Sequence, residues 1–182
     1  MSLNHSFSPR DYEFPRLYVE GEESGEYLVP RRDMGTYTIL RGRRAPEPGW
    51  MGLKPYEWGW LRVFDPVEAI ATRAFAVVVP WTGYKALLVE AGTRLRLVEA
   101  RGVQVSVVAR EGEEVAARSV LAYLVTGKGE TRTVRAGTEG LIVYIAWEPG
   151  GPAERYVYLI ADKDSIKVLE PDEDALAVLG SQ

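Results

Sequence analysis

The chain has 182 residues, 46% of them hydrophobic and 26% charged, which is typical of a folded globular protein and excludes a disordered tail, a collagen and a membrane span. It contains no cysteine and one histidine, His5, so the composition argues against a zinc site of Cys and His ligands and against catalysis by a histidine base. The formal charge of −4 is located in residues 162–182, which contain six acidic and two basic residues. The remaining residues have no net charge, which disfavours nucleic acid as a partner.

The sequence also carries indications of where the protein works. No basic start followed by an apolar core and a cleavage site is seen at the N-terminus, and no apolar run approaches the length that a bilayer needs. We therefore expect a cytoplasmic protein without a membrane span. Arginine outnumbers lysine 17 to 5, and only one Asn and two Gln occur, a bias that indicates a thermophilic source.

In chain order, residues 1–10 are predicted to be a flexible leader, and residues 11–81 a β-rich section in which short apolar runs are separated by Gly, Pro and charged residues. Within this section, residues 41–60 hold three prolines, four glycines and three tryptophans, which favours an irregular loop. The segment Asp65-Pro66-Val67-Glu68 has the pattern of a helix start, and it predicts a short helix from Pro66 to Ala74.

The rest of the chain alternates in the period of β-strands. The β-branched run Phe75–Trp81 is too short for a buried helix, and alternating segments follow it through residues 82–161, where we expect a barrel. The acidic C-terminal tail, 162–182, is predicted to hold a strand near Ser165–Leu169 and a short helix from Pro171 to Leu179, ended by Gly180. The chain is therefore predicted to be mostly β, with one or two short helices.

Two segments repeat one plan inside this barrel region. Gly102-Val103-Gln104-Val105-Ser106-Val107 and Gly140-Leu141-Ile142-Val143-Tyr144-Ile145 each begin with Gly and continue in apolar residues. Each then reaches an acid and a glycine turn, Glu111-Gly112 in one and Glu148-Pro149-Gly150 in the other. Two such units that face each other can bury a core that neither could bury alone.

The stretch GEEVAARSVLAYLVTGKG, from Gly112 to Gly129, resembles the attachment motif of biotinyl and lipoyl domains. In that resemblance Val115 and Leu121 occupy the buried apolar positions, and Lys128 occupies the position of the modified lysine. The resemblance implies a barrel-sandwich hybrid fold over about residues 83–161, with biotin or lipoate on Lys128 as an alternative to our expectation of no cofactor. The whole chain is similar to an uncharacterised archaeal family described as carrying a biotinyl/lipoyl-like barrel.

Two further groups of side chains are candidates for a ligand site. Aromatic residues with arginines nearby could bind an anion or a stacked base, although such aromatics also fill cores, and neighbouring acids could neutralise the arginines. The acids Glu111, Glu113 and Glu114 could support acid/base chemistry if one had a raised pKa, although acids in turns are usually solvated. The aromatic candidate set comprises Trp50, Trp58, Trp60 and Tyr56 with Arg41 and Arg43.

The function predicted from these observations is a non-catalytic binding or scaffold module with a protein partner or a second copy of itself. One alternative is a carrier protein modified on Lys128 in acyl or carboxyl transfer. The other is a small-ligand enzyme with its site near Trp58 and Trp60, which would require a deep pocket containing carboxylates of shifted pKa. We expect no metal ion.

Overall fold

The computed structural model describes residues 13–42, 48–57, 59–148 and 151–180, and the predicted leader, residues 1–10, lies outside them. The described residues form sixteen β-strands and one α-helix, which confirms the prediction of a mostly β protein. No helix in these ranges has the length and apolar character needed to cross a membrane.

Seven of the strands form a closed barrel in the order β1-β4-β2-β3-β16-β8-β7. Neighbouring strands are antiparallel except for β16, which runs parallel to β3. The barrel strands are β1 (Arg16–Glu20), β2 (Glu26–Arg31), β3 (Thr36–Arg41), β4 (Met51–Lys54), β7 (Phe75–Val79), β8 (Lys85–Val89) and β16 (Lys167–Pro171).

The segment predicted as an acidic tail contributes to this barrel. It supplies β16 and then the helix α1 (Glu173–Gly180), which begins next to Asp172. The Asp172 carboxylate accepts a hydrogen bond from the Ala175 backbone amide, as expected for a helix cap. Ala175 and Leu179 of the helix join the core inside the barrel, which also contains Tyr18 of β1 and Tyr37 of β3.

The chain between β8 and β16 forms a second unit of two sheets. One sheet has the order β10-β12-β13 and the other the order β11-β14-β15-β9. The boundary predicted at residue 82 falls between β7 and β8, which pair as one hairpin of the barrel. The strands of the second unit are β9 (Leu95–Gly102), β10 (Gln104–Val107), β11 (Glu114–Val115), β12 (Val120–Val125), β13 (Thr131–Arg135), β14 (Gly140–Glu148) and β15 (Glu154–Ala161).

The described residues form three apolar cores, and the middle one joins the two units. One core fills the barrel, and another lies between the two sheets of the second unit. In the middle core Val77 and Val79 of β7 pack with residues of β14 and β15, while their neighbour Val78 faces the barrel interior. All five residues of β7 are buried because the strand is covered on both faces, which explains its unbroken apolar sequence.

The predicted helix from Pro66 to Ala74 is wrong, because residues 66–69 form the turn of a small hairpin and Ile70–Ala71 its second strand. Asp65 does accept hydrogen bonds from the amides of Val67 and Glu68, so the capping signal operates locally. The helix cannot continue because β5 (Phe64–Asp65) pairs with β6 (Ile70–Ala71). The backbone of 69–71 also bonds to residues 92–95, and Ala69 has a φ of +56°.

Candidate functional site

An open cleft of about 410 Å³ lies where the barrel meets the second unit. Its walls come from residues 13–15 before β1, the loop after β4, the 3₁₀ turn Pro80–Thr82 between β7 and β8, the end of β10 with the β10–β11 turn, and strands β14 and β15. The cleft is therefore built from segments that are far apart in the chain, and its shape depends on the packing of the two units against each other.

Glu111 is held in this cleft by the backbone of the β10–β11 turn. The Gly112 amide donates to the Ile142 carbonyl at 2.8 Å, and the Ile142 amide donates to the Glu113 carbonyl at 3.0 Å. From the barrel, the Trp81 indole donates to the Glu111 backbone carbonyl at 3.1 Å. These bonds fix the turn to both units and direct the Glu111 side chain into the cleft.

Glu111 is buried, with 6% of its surface exposed, whereas an acid in a turn is usually solvated. The Tyr56 hydroxyl donates to Glu111 Oε1 at 2.7 Å. Burial raises the pKa of Glu111, and this effect exceeds the opposing influence of the Tyr56 hydrogen bond and of the charge on Arg110. Glu111 therefore holds its proton more strongly than an exposed glutamate does.

Two tyrosines support this carboxyl group. The Tyr56 hydroxyl accepts a hydrogen bond from the Ile145 amide at 3.2 Å, and the Tyr144 hydroxyl donates to the Tyr56 carbonyl. Their rings lie 4.8 Å apart between centroids. Burial raises the pKa of both phenols well above the ordinary value, so both remain protonated and act as hydrogen-bond donors.

A β-bulge on β14 aims Tyr144 at the site. The pairing of β14 with β15 shifts between Ile142 and Tyr144, so that an extra residue, Val143, is accommodated on β14. Val143 and Tyr144 consequently both join the core between the two units, while Ile142 and Ile145 face the core between the sheets. Bulges commonly redirect a side chain next to a functional site in this way.

The surroundings of a second glutamate of the cleft, Glu148, lower its pKa instead of raising it. The Trp60 indole donates to its Oε1 at 2.6 Å, and Arg155 donates to its Oε2 at 2.5 Å. Arg155 also pairs with Glu99 at 3.0 Å. The Trp60 hydrogen bond and the Arg155 guanidinium lower the pKa of Glu148, so this carboxylate is ionised over a wider pH range than Glu111.

One wall of the cleft already carries a cation on an aromatic ring. The Arg110 guanidinium carbon lies 3.5 Å from the ring centroid of Trp81. A guanidinium at this distance is attracted by the electron-rich face of the indole. Trp81 thus contributes a hydrogen bond to the Glu111 backbone and a ring face to Arg110.

A family model described as "Uncharacterized protein conserved in archaea (DUF2118)" matches residues 12–163. The chain belongs to this family. No curated protein matches it significantly. The residues that match DUF2118 cover most of the barrel and all of the second unit, including every described segment that lines the cleft.

The structure separates the predicted aromatic and arginine set. Trp60 and Tyr56 line the cleft, but Trp50 lies against Tyr27, with ring centroids 6.3 Å apart, and is not among the described lining residues. Arg41 pairs with the buried Glu26 at 3.4 Å, so a neighbouring acid neutralises it. Trp58 and Arg43 lie outside the described residues, and a ligand site comprising the whole set stays a prediction.

Lys128 lies at the exposed turn of the β12–β13 hairpin. The turn is closed by a hydrogen bond from the Gly129 amide to the Thr126 carbonyl at 2.9 Å. This hairpin belongs to the three-stranded sheet, and Lys128 is not among the residues that line the cleft.

Sequence reasoning missed several cleft residues, notably Trp81, Arg110, Tyr144 and Glu148. One signal could have found part of the site, because Glu111 and Glu148 are the acids that follow the two repeated strands, and both line the cleft. Within the described ranges, no group of three or more His, Asp or Glu side chains is arranged to hold a metal ion.

Proposed function

We propose that the protein is a non-catalytic binding module that holds a small ligand in the cleft between its two units. The observation that carries this proposal is Glu111, a buried carboxyl group that lines an open cavity among aromatic rings. Burying a carboxyl group costs free energy, and perturbed carboxyls in clefts of this size are typical of ligand sites. The other buried glutamate of the described residues, Glu26, does not line the cleft and is bonded to Arg16, Arg41 and Tyr18.

The test is to incubate the purified protein with a small-molecule extract of an archaeal host and to examine it by native mass spectrometry. Wild type should retain a compound of defined mass, and Glu111→Gln should retain at least about tenfold less of it, because the ionisable group at the centre of the cleft is lost. The matched control is Glu68→Gln, which changes an exposed glutamate outside the cleft. Retention of no compound by wild type would contradict a ligand-binding function.

An enzyme acting at the same cleft is a second candidate, and a specific observation favours it. The surroundings push the pKa of Glu111 up and that of Glu148 down, and carboxyl pairs divided in this way are common among acid/base sites. The same extract distinguishes the two functions. A binding module leaves its compound unchanged in mass, whereas an enzyme depletes one compound and produces another, with wild type but not with Glu111→Gln.

We further propose that the second unit is a biotinyl/lipoyl-like barrel-sandwich hybrid. Its support is the pair of sheets that bury a common core, and the lysine at the turn of the β12–β13 hairpin. This placement also favours the carrier alternative, since a lysine at an exposed turn leaves an attached group free to move. Both neighbours of Lys128 are glycine, whereas attachment domains place larger residues there.

Intact mass and peptide mapping of protein from its own host test the carrier alternative. A carrier shows a biotinyl, lipoyl or other acyl increment on the peptide that contains Lys128, and Lys128→Arg removes the increment. Lys163→Arg is the control, since Lys163 is an exposed lysine outside the hairpin. An unmodified Lys128 in all of the material would reject the carrier function. A protein partner or a second copy, predicted from the sequence, stays a prediction.

A further inference from the structure

Among the described residues, seven aromatic rings line the cleft. Two of these rings, Phe14 and Trp147, are 78% and 45% exposed although they lie at the cleft, so they are available to a ligand. The electron-rich faces of Trp, Tyr and Phe attract cations, and several rings around one space are the usual means of holding an organic cation. Beyond those two, the rings that line the cleft are Tyr56, Trp60, Trp81, Tyr144 and Tyr156.

The charges around the cleft favour a ligand of the same sign. Among its described lining residues are four glutamates and one arginine, and one of the glutamates, Glu148, is paired with Arg155 beside the cleft. The arginine, Arg110, lies on the Trp81 ring, which demonstrates that the geometry of this wall accommodates a cation. Acids still outnumber bases around the cavity, so the balance of charge favours a cation over an anion.

Glu111 gives such a cation a partner at the inner end of the cleft. Burial removes most of the water that would stabilise its ionised form, and the hydrogen bond from Tyr56 replaces that water only in part. An opposite charge within about 4–6 Å of a carboxyl group favours its ionised form. A bound cation would therefore stabilise the ionised form of Glu111, which solvent stabilises poorly because the residue is buried.

We propose that the cleft binds a small organic cation, a compound in which an amine or quaternary ammonium group is attached to an apolar body. The charged group lies among the aromatic rings next to the Glu111 carboxylate, and the apolar body lies against the outer rings. A cavity of about 410 Å³ has the size of a small-molecule site. This inference rests on the proposed function, since it names the class of ligand for the same cleft.

The test uses three probes on the full chain: choline, its neutral isostere 3,3-dimethylbutan-1-ol, and inorganic phosphate. Binding is measured by calorimetry and by the fluorescence of the cleft tryptophans. The expected result is that choline binds at least about tenfold more tightly than the isostere, because the two differ in charge and hardly in shape, and that phosphate does not bind. Equal binding of choline and the isostere, binding of phosphate alone, or binding of none of the three would overturn the proposal.

Two variants locate the choline site. Glu111→Gln and Trp147→Ala should each weaken choline binding about tenfold or more, and Trp147 is exposed enough for its removal to leave the fold intact. The controls are Glu68→Gln and Tyr123→Ala, since Tyr123 is 44% exposed and lies outside the cleft. Choline binding that neither cleft variant weakens would also overturn the proposal.

The extract experiment distinguishes failure of the cationic ligand class from failure of the ligand site. A compound from the extract that is retained by wild type and lost with Glu111→Gln, but is neutral or anionic, leaves the cleft as a ligand site and rejects the cationic class. An extract from which nothing is retained rejects the ligand site itself.

Discussion

At the scale of single residues, Glu111 connects the chemistry of the cleft with the stability of the fold. Its pKa is raised in the folded protein mainly by burial, with Tyr56 and Arg110 acting in the opposite direction and Glu113 in the same direction. Between the pKa of the unfolded chain and the raised pKa of the folded protein, the folded state binds more protons. The free energy of unfolding therefore falls as the pH rises through this interval.

We predict that Glu111→Gln removes this decline. Glutamine keeps an oxygen that can accept the Tyr56 hydrogen bond but cannot ionise, so the variant should be more stable than wild type above the interval and similar to it below the unfolded pKa. The measurement is the thermal unfolding midpoint of both proteins from about pH 4 to about pH 8. Superimposable pH profiles would show that Glu111 is not perturbed.

Wild type must be compared with Glu111→Gln because other carboxylates change the free energy of unfolding with pH in the opposite direction. The pKa of Glu22 is lowered by its bond from Arg73, and that of Glu148 by its bond from Trp60. Both stabilise the fold above the pKa of the unfolded chain, and this stabilisation is lost as the pH falls. They are common to wild type and variant, so the difference between the two profiles reports Glu111 alone.

At the scale of elements, the two glycines that open the sequence repeats have a structural reason. A Cβ at Gly140 would lie 2.4 Å from the Ala161 carbonyl oxygen, and one at Gly102 would lie 2.6 Å from that of Val125. Gly140 thus begins β14, and Gly102 ends β9 just before β10, at points where another strand's backbone passes too close for a side chain. The repeat was visible in the sequence, but the close approach that explains it was not.

We predict that Gly140→Ala destabilises the protein by about 1–3 kcal/mol, the usual cost of an overpacked site. For a protein of this size the unfolding midpoint should fall by about 2–4 °C per kcal/mol. Gly127→Ala is the control, because a Cβ there meets no atom within 4 Å. Equal midpoints for the two variants would contradict the steric explanation.

The strands were easier to predict than the helix after Asp65. The spacing of apolar residues predicted β8, β9, β10 and β12. β9 and β10 have both buried and exposed residues, whereas β8 and most of β12 lie in a core. The segment after Asp65 carried a correct capping signal, but its length was set by pairing of Ile70 and Ala71 with other strands. Capping rules describe the first turn and contain no information about such distant partners.

At the scale of the whole molecule, the cleft could be predicted only in pieces. The alternation of apolar residues correctly indicated a mostly β fold, and Tyr56, Trp60 and Glu111 were candidates from the sequence. Their assembly into one cleft depends on the packing of β7 against β14 and β15, and on the bulge that redirects Tyr144. Neither feature has a local sequence signal, which is why Trp81 and Tyr144 were missed.

The closed barrel has a consequence for the order in which the chain folds during synthesis. Strands β1 to β4, β7 and β8 leave the ribosome early, but β3 and β8 are joined only through β16. The second unit, by contrast, has all of its strands once Ala161 has emerged, and units generally fold as they appear. The barrel that opens the chain is therefore completed last, and until then β3 and β8 each present an unpaired edge that nascent chains nearby could join.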